Sequence, residues 1–259
     1  MGLSHKKQIK LTRITIKAGQ ILLQHGAESQ LVEQTTQRIG IALGASSIEL
    51  SVSLDAIVLT SIFGSDCVTT TRRCYDRGIN MQMVCDVQRI CVMLEKKLLD
   101  TDQVSDRLNR LEPYYYNRYL VALMIGLSCS SFSHFFGGDW PVYITSFFAS
   151  CSAMILRQEL AARQHNPFVI FALSAFLATS IASLGVIYDF GEKPQIAIAA
   201  SVLLLVPGFP FINAISDVLK GHISTGIARW VFATLLTISV SFGIITSLAL
   251  INVSLGWII

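Results

Sequence analysis

The residues whose types and spacing could do chemistry fall in one run, Val206-Pro207-Gly208-Phe209-Pro210, followed by Asn213, Ser216 and Asp217. Proline has no N–H and its ring collides with the carbonyl four residues back, so two prolines and a glycine this close must interrupt a helical ladder. Backbone groups freed at membrane depth are tolerated only where protein covers them or where they line a wet cavity. A half-helix starting at such a break also turns its positive end toward a carboxylate. Pro207 and Gly208 are therefore candidate substrate-binding positions. Asn213, Ser216 and Asp217 follow at helical spacing, and Asn213 and Asp217, at i and i+4, share a face. Asn213 and Ser216 can hydrogen-bond a small polar substrate, and Asp217 is the candidate proton-coupling group. The bland alternatives are a kink with no ligand and an Asp217 that is merely solvated at a span end.

Other chemistry is poorly supported. There is no P-loop, G-x-G-x-x-G, G-x-S-x-G or H-E-x-x-H, so no catalytic residues are assigned and an enzyme is not expected. The histidines His5, His25, His134, His165 and His222 have no ligand spacing, which argues against a metal site, and no cofactor is implied. His134 is a weaker proton-carrying candidate near the opposite end of the membrane part. Net charge is only +3, with bases and acids interleaved, so nucleic acid is not an expected partner. The six cysteines form no Cys-x-x-Cys pair and read as free thiols.

The elements that must position this run are set by two solvents. Apolar residues make up 52% of the chain and charged residues 14%, with mean hydropathy +0.56, which is too apolar for an ordinary soluble protein. Residues 1–117 carry 14 of the 20 Lys and Arg and 12 of the 17 acids. Residues 118–259 contain five apolar stretches, about 119–136, 140–156, 167–187, 196–215 and 230–251, each free of Lys, Arg, Asp and Glu. Each is close to the ~20 residues that cross a bilayer as helix. The fold class expected is an α-helical integral membrane protein of five transmembrane helices, preceded by a small α+β cytoplasmic domain. The links 157–166 and 216–229 hold Arg157, Arg163, Lys220 and Arg229, whereas 137–139 and 188–195 hold three acids and one Lys. The basic side stays in the cytoplasm, which puts the N-terminus inside and the C-terminus outside. Met1–Arg13 is polar and basic, so no cleavable signal peptide is expected. Trp140, Trp230 and Trp257 sit near span ends, as interfacial aromatics do. Small residues at four-residue spacing, Ala122, Gly126, Ser130 and Ser174, Ala178, Ala182, predict closely packed helices.

In the head, apolar Ile9, Ile14, Ala18, Ile21 and Leu22 predict an amphipathic helix from Lys6 to Gln24, with Lys7, Lys10, Arg13, Lys17 and Gln24 on its other side. Gly26 ends it, and a second helix runs from about Glu28 to Gly40. Ser46–Leu54, Ala56–Phe63 and Cys67–Arg73 read as strands. Asn80 is a candidate N-cap for a helix to about Leu99, and a short helix spans Asp102–Leu111.

Leu22-Leu23-Gln24-His25-Gly26-Ala27-Glu28-Ser29, Asp76-Arg77-Gly78-Ile79-Asn80, Arg118–Ser128, Ser201–Ala214, Gly221-His222 and Gly226-Ile227-Ala228-Arg229 carry a resemblance. The chain resembles the N-terminal half of the threonine/serine exporter family, and most closely the larger-subunit type of its two-component succinate exporters. What this resemblance implies is a subunit of an inner-membrane exporter of small carboxylates, driven by the proton gradient, with a second small membrane subunit equivalent to the family's C-terminal half as partner. The substrate implied is succinate, with threonine or serine as the alternative. A membrane-tethered regulator or scaffold is the competing class, although one or two spans would suffice for an anchor and a broken span would serve nothing.

Overall fold

The computed structural model describes residues 5–255, with side chains to 252; Trp257 lies outside them. Among the described residues there are ten α-helices and one three-stranded sheet, gathered into two compact units. One unit takes the described residues to Tyr114 together with Phe209–Trp230. The other takes Tyr115–Gly208 and the described residues from Val231 onward.

The first unit opens with α1 (His5–Gln24) and α2 (Ser29–Ala42). Leu11, Ile16 and Leu22 of α1 share one core with Ile39 of α2 and with Ile57 and Leu59 of the sheet. The two helices pack so closely that a Cβ on Gly19 would lie 2.7 Å from Thr36 Oγ1. Lys10 and Arg13 are exposed as expected, but Gln24, assigned to the polar face, is buried because α1 is covered on more than one side toward its C-terminal end. The sheet is an antiparallel meander of β1 (Ser47–Val52), β2 (Ala56–Phe63) and β3 (Asp66–Arg73), with Leu50 opposite Leu59 and Leu59 opposite Thr70. Alternation turns Ile57, Leu59 and Phe63 into the core, while Leu54 falls beyond the end of β1 and is exposed. Asn80 caps α3 (Met81–Glu95), its Oδ1 accepting from Met83 N at 3.2 Å. The helix stops short of Leu99 because Lys97 adopts a left-handed conformation, φ 57°. α4 (Thr101–Arg110) closes this part with Val104 and Leu108 buried.

The second unit contains α5 (Arg118–Phe135), α6 (Trp140–Ala162), α7 (Pro167–Ile187) and α8 (Gln195–Val202), the last tightening into a 3-10 turn at Leu203–Leu205. Asn117, Asp139 and Asn166 cap α5, α6 and α7, each side chain accepting from a first-turn N–H. The small-residue runs are interior: Ala122, Ser130, Ser174, Ala178 and Ala182 are all buried. A Cβ on Gly126 would lie 2.3 Å from Cys151 Sγ, and one on Gly243 2.2 Å from the Ala172 carbonyl. Large apolar side chains such as Leu123, Phe148, Leu173 and Phe242 are exposed, as a lipid-facing surface requires.

Two expectations change. The link 216–229 is not a loop: α9 (Gly208–Leu219) runs through its start, α10 (Ile223–Leu255) begins inside it, and only Lys220-Gly221-His222 separates them. Its charges do not need water because they are paired within the protein, as described below. The fourth stretch is indeed broken, and Val206-Pro207 divides α8 and its 3-10 turn from α9. By length and composition, two helices among the described residues can cross a membrane, Pro167–Ile187 and Ile223–Asn252, and a third if the broken pair counts as one span. α5 and α6 form where spans were expected but do not reach that standard, since serines and His134 dilute α5 and Arg157 to Glu159 lie within α6.

Candidate functional site

Asp217 is the best-partnered side chain of the predicted run. Glu28 precedes α2 in an extended conformation, φ −67° and ψ 153°, which leaves the first N–H groups of that helix pointing outward. Ser29 N donates to Asp217 Oδ1 at 2.8 Å and Ser29 Oγ donates to Oδ2 at 2.9 Å, so the carboxylate sits on the positive end of α2. Arg229, early in α10, places Nη1 2.8 Å from Oδ2. Asp217 is 0% exposed and Arg229 8%. The arginine's other nitrogen, Nη2, donates to the Ala27 carbonyl at 3.0 Å. The Nη1 contact is at ion-pair distance but is not aligned as a hydrogen bond, so one arm of the guanidinium fork is sealed from water and incompletely used.

The rest of the α9 face reads the same turn. Asn213 Nδ2 donates to the Gly26 carbonyl at 2.9 Å, and Ser216 Oγ donates to Glu28 Oε2 at 2.7 Å. Lys220 pairs with Glu28 Oε1. The bond from Lys220, then that from Ser216, holds the Glu28 carboxyl below the ordinary carboxylate range. Gly26 itself is left-handed, φ +86°, which the sharp reversal between α1 and α2 requires. The Asp76–Asn80 segment backs the turn through Arg77 N to Gln24 O at 3.0 Å and Asn80 N to His25 O at 3.2 Å. On the far side, α9 and α10 approach so tightly at Gly226 that a Cβ there would lie 2.8 Å from the Ala214 carbonyl.

Pro207 and Gly208 belong to the other unit. Pro207 is buried, and a Cβ on Gly208 would meet nothing within 4 Å. The break frees carbonyls that side chains then reach: Arg157 Nη1 donates to Leu204 O and Ser150 Oγ to Ser201 O, each at 3.5 Å. Arg157 also stacks 4.7 Å over the Phe171 ring. On α7, the hydroxyls of Ser174, Thr179 and Ser183 are buried without a hydrogen-bond partner.

Asn213, Ser216 and Asp217 are thus brought together on one surface, and the solvated reading of Asp217 is excluded by its burial. His134 belongs to the other unit and sits at the end of α5 with Nδ1 3.0 Å from the Gly138 carbonyl. Sequence reasoning assigned Arg229 and Lys220 to topology and missed Glu28 and Ser29. The signal available was that His25–Ser29 and Gly226–Arg229 were already among the stretches carrying the family resemblance.

The threonine/serine exporter family model matches residues 13–251, and the chain belongs to that family. It is 48% identical over 254 residues to a protein of Escherichia coli K12 named "Probable succinate transporter subunit YjjP", covering 98% of this chain and 99% of that one. A Klebsiella aerogenes protein of the same name is 46% identical over 99% of this chain and 100% of its own length. A Mycobacterium tuberculosis protein named "Probable threonine/serine exporter" is 22% identical over 92% of this chain and 46% of itself. No solved structure matches. A chain with this family and these apolar helices is a membrane transport protein.

Proposed function

We propose that this chain is the head-bearing subunit of a two-component inner-membrane exporter of small carboxylates, with succinate as substrate and a second small membrane subunit completing the pathway. Residues 1–117 form the cytoplasmic head in this reading and residues 118–259 cross the bilayer five times, with the N-terminus inside and the C-terminus outside. The names of the relatives that match end to end, including the word subunit, support substrate and partnership. The distribution of Arg and Lys in the links supports the orientation.

The observation that carries the mechanism is the buried Asp217–Arg229 pair. Removing one member of such a pair leaves an uncompensated charge in low dielectric, which is costly. If a substrate carboxylate takes Arg229, Asp217 must therefore be neutralised, and a proton is the simplest agent. The proton and the carboxylate travel outward together, so the drive is the succinate gradient and the membrane potential, in place of the proton gradient that the resemblance implies. A dicarboxylate leaving with one proton carries one net negative charge outward, a movement favoured by about 2.3 kcal/mol per 100 mV of membrane potential. Asn213 and Ser216 would hydrogen-bond the same substrate, and Pro207 and Gly208 are proposed as further substrate-binding positions on the strength of the broken span. Threonine is the second reading, for which a specific chemical reason exists: its ammonium could replace Arg229 at Asp217 while its carboxylate took Arg229, with no proton needed.

Efflux of labelled succinate and labelled threonine from cells expressing the chain with and without its small partner tests this reading. Succinate efflux that requires both subunits and rises with external pH is expected. Efflux of threonine alone would move the assignment to the second reading, and efflux of neither would overturn both.

A further inference from the structure

Away from the Asp217 pair, α1 and α4 border a groove of about 480 Å³ lined by Lys6, Lys10, Arg13, Lys17 and Arg72, with no acidic side chain in its wall. Lys10 has a carboxylate partner, Asp102, and Lys17 is held by Asn109 Oδ1. Lys6, Arg13 and Arg72 have no carboxylate partner among the described residues. Like charges gathered on a concave wall repel each other and raise the local concentration of anions. The groove shares Lys17 and Asn109 with a cavity of about 240 Å³ that reaches Arg77 and His25.

His25 supplies the second observation. It is 1% exposed, and its Nδ1 lies 2.8 Å from the Ile21 carbonyl. A carbonyl only accepts, so Nδ1 carries the hydrogen. The other ring nitrogen, Nε2, is sealed from solvent with no hydrogen-bond partner. Buried polar atoms are nearly always satisfied, and this one belongs to a residue lining a cavity.

We infer that the groove and its inner cavity bind a soluble phosphate ester carrying at least two anionic groups, which the cations take. Lys6 and Lys17 stand about 16 Å apart along α1 at 1.5 Å per residue, too far for a single phosphate to reach both. The groove's volume falls in the range of about 300–1,000 Å³ typical of small-molecule sites. A concave wall that deepens to an orphaned imidazole suits a discrete molecule better than a flat bilayer surface. The ligand would also lie one residue from Gly26 and two from Ala27, whose carbonyls are read by Asn213 and Arg229. It would therefore brace the turn that holds Asp217, but the binding site stands independently of the export reading.

The test is calorimetric titration of the full-length protein in detergent with fructose 1,6-bisphosphate, inorganic phosphate and soluble dihexanoyl-phosphatidylglycerol. The expected result is saturable binding of the bisphosphate at least tenfold tighter than phosphate, weakened tenfold or more by Arg13→Gln with Lys17→Gln at an unchanged melting temperature. Lys6→Gln, at the other end of α1 from Lys17, is expected to weaken the bisphosphate more than phosphate. No saturable bisphosphate binding, equal affinity for phosphate and bisphosphate, or binding of the phosphatidylglycerol alone would overturn the inference.

Discussion

Arg229 and Asp217 meet inside the protein, Nη1 to Oδ2 at 2.8 Å, on the N-terminal end of α2. Asp217 comes from α9 and Arg229 from α10, while the groups completing the cluster, Ser29 and the Ala27 carbonyl, come from the head. A pair built from both parts of the sequence holds the head's first turn to the hairpin of α9 and α10, so its charge state and that turn are linked.

The pair is expected to matter more when broken than when removed. Asp217→Asn and Arg229→Gln each leave a buried group without its partner, and each should lower stability by about 3 kcal/mol or more. The double variant should recover at least half of the summed loss, because no lone charge remains. Thermal unfolding in detergent, followed by intrinsic fluorescence, measures this; purely additive losses would contradict it.

Glu28 gives a pH signature. Its carboxyl is held below the ordinary range in the folded protein, so its contribution to stability is present above the unfolded value and disappears as pH falls through the lower folded value. The melting-temperature gap between the native chain and Glu28→Gln should be open at pH 7 and narrow as pH falls below the ordinary carboxylate range. Its size at neutral pH should correspond to less than about 1 kcal/mol, since Lys220 is partly exposed. A gap that does not narrow in acid would show that Glu28 acts by packing and not by charge.

Cysteine labelling checks the head and its side of the membrane together. Cys74 and Cys91 are buried, and burial pushes both thiols up to about 11, so neither should react with maleimide at pH 7.5. Cys67 and Cys85 are exposed and should react. An impermeant maleimide should reach them in inside-out vesicles and not in intact spheroplasts. Labelling in spheroplasts would reverse the proposed orientation.

In the second unit, Gly126 lies against the Cys151 and Phe147 side chains and Gly243 against the α7 backbone. Gly126→Leu should destabilise by more than about 2 kcal/mol through overpacking against Cys151 and Phe147, whereas Gly208→Ala, which meets open space, should be nearly neutral for stability. The melting temperatures of the two variants check the contrast. A large loss in Gly208→Ala would indicate a neighbour that the structure does not contain.

Most of the secondary structure was legible in local signals. Ala56–Phe63 and Pro167–Ile187 fall where alternation and apolar length put them, and Asn80 caps α3 as its side chain suggested. The break at Pro207 was equally local. What was not legible depends on contacts far apart in the chain. Arg229 looked like a loop charge because charged residues ordinarily avoid apolar surroundings, and only the fold brings Asp217 and the Ala27 carbonyl to it. Ser29 looked like an ordinary first-turn serine because its partner lies 188 residues away. The length of α10 was underestimated for the same reason: a paired arginine does not end a helix.

The most direct measurement is transport by Asp217→Asn in vesicles containing both subunits, comparing net efflux of labelled succinate with its exchange against unlabelled succinate. The variant fixes the neutral state that accepts a carboxylate at Arg229 but can no longer give up a proton to reset. Net efflux should therefore fall at least tenfold and lose its pH dependence while exchange is retained. Normal net efflux, or loss of exchange in a variant that still inserts and assembles, would contradict the assignment of Asp217 and Arg229 as the working pair.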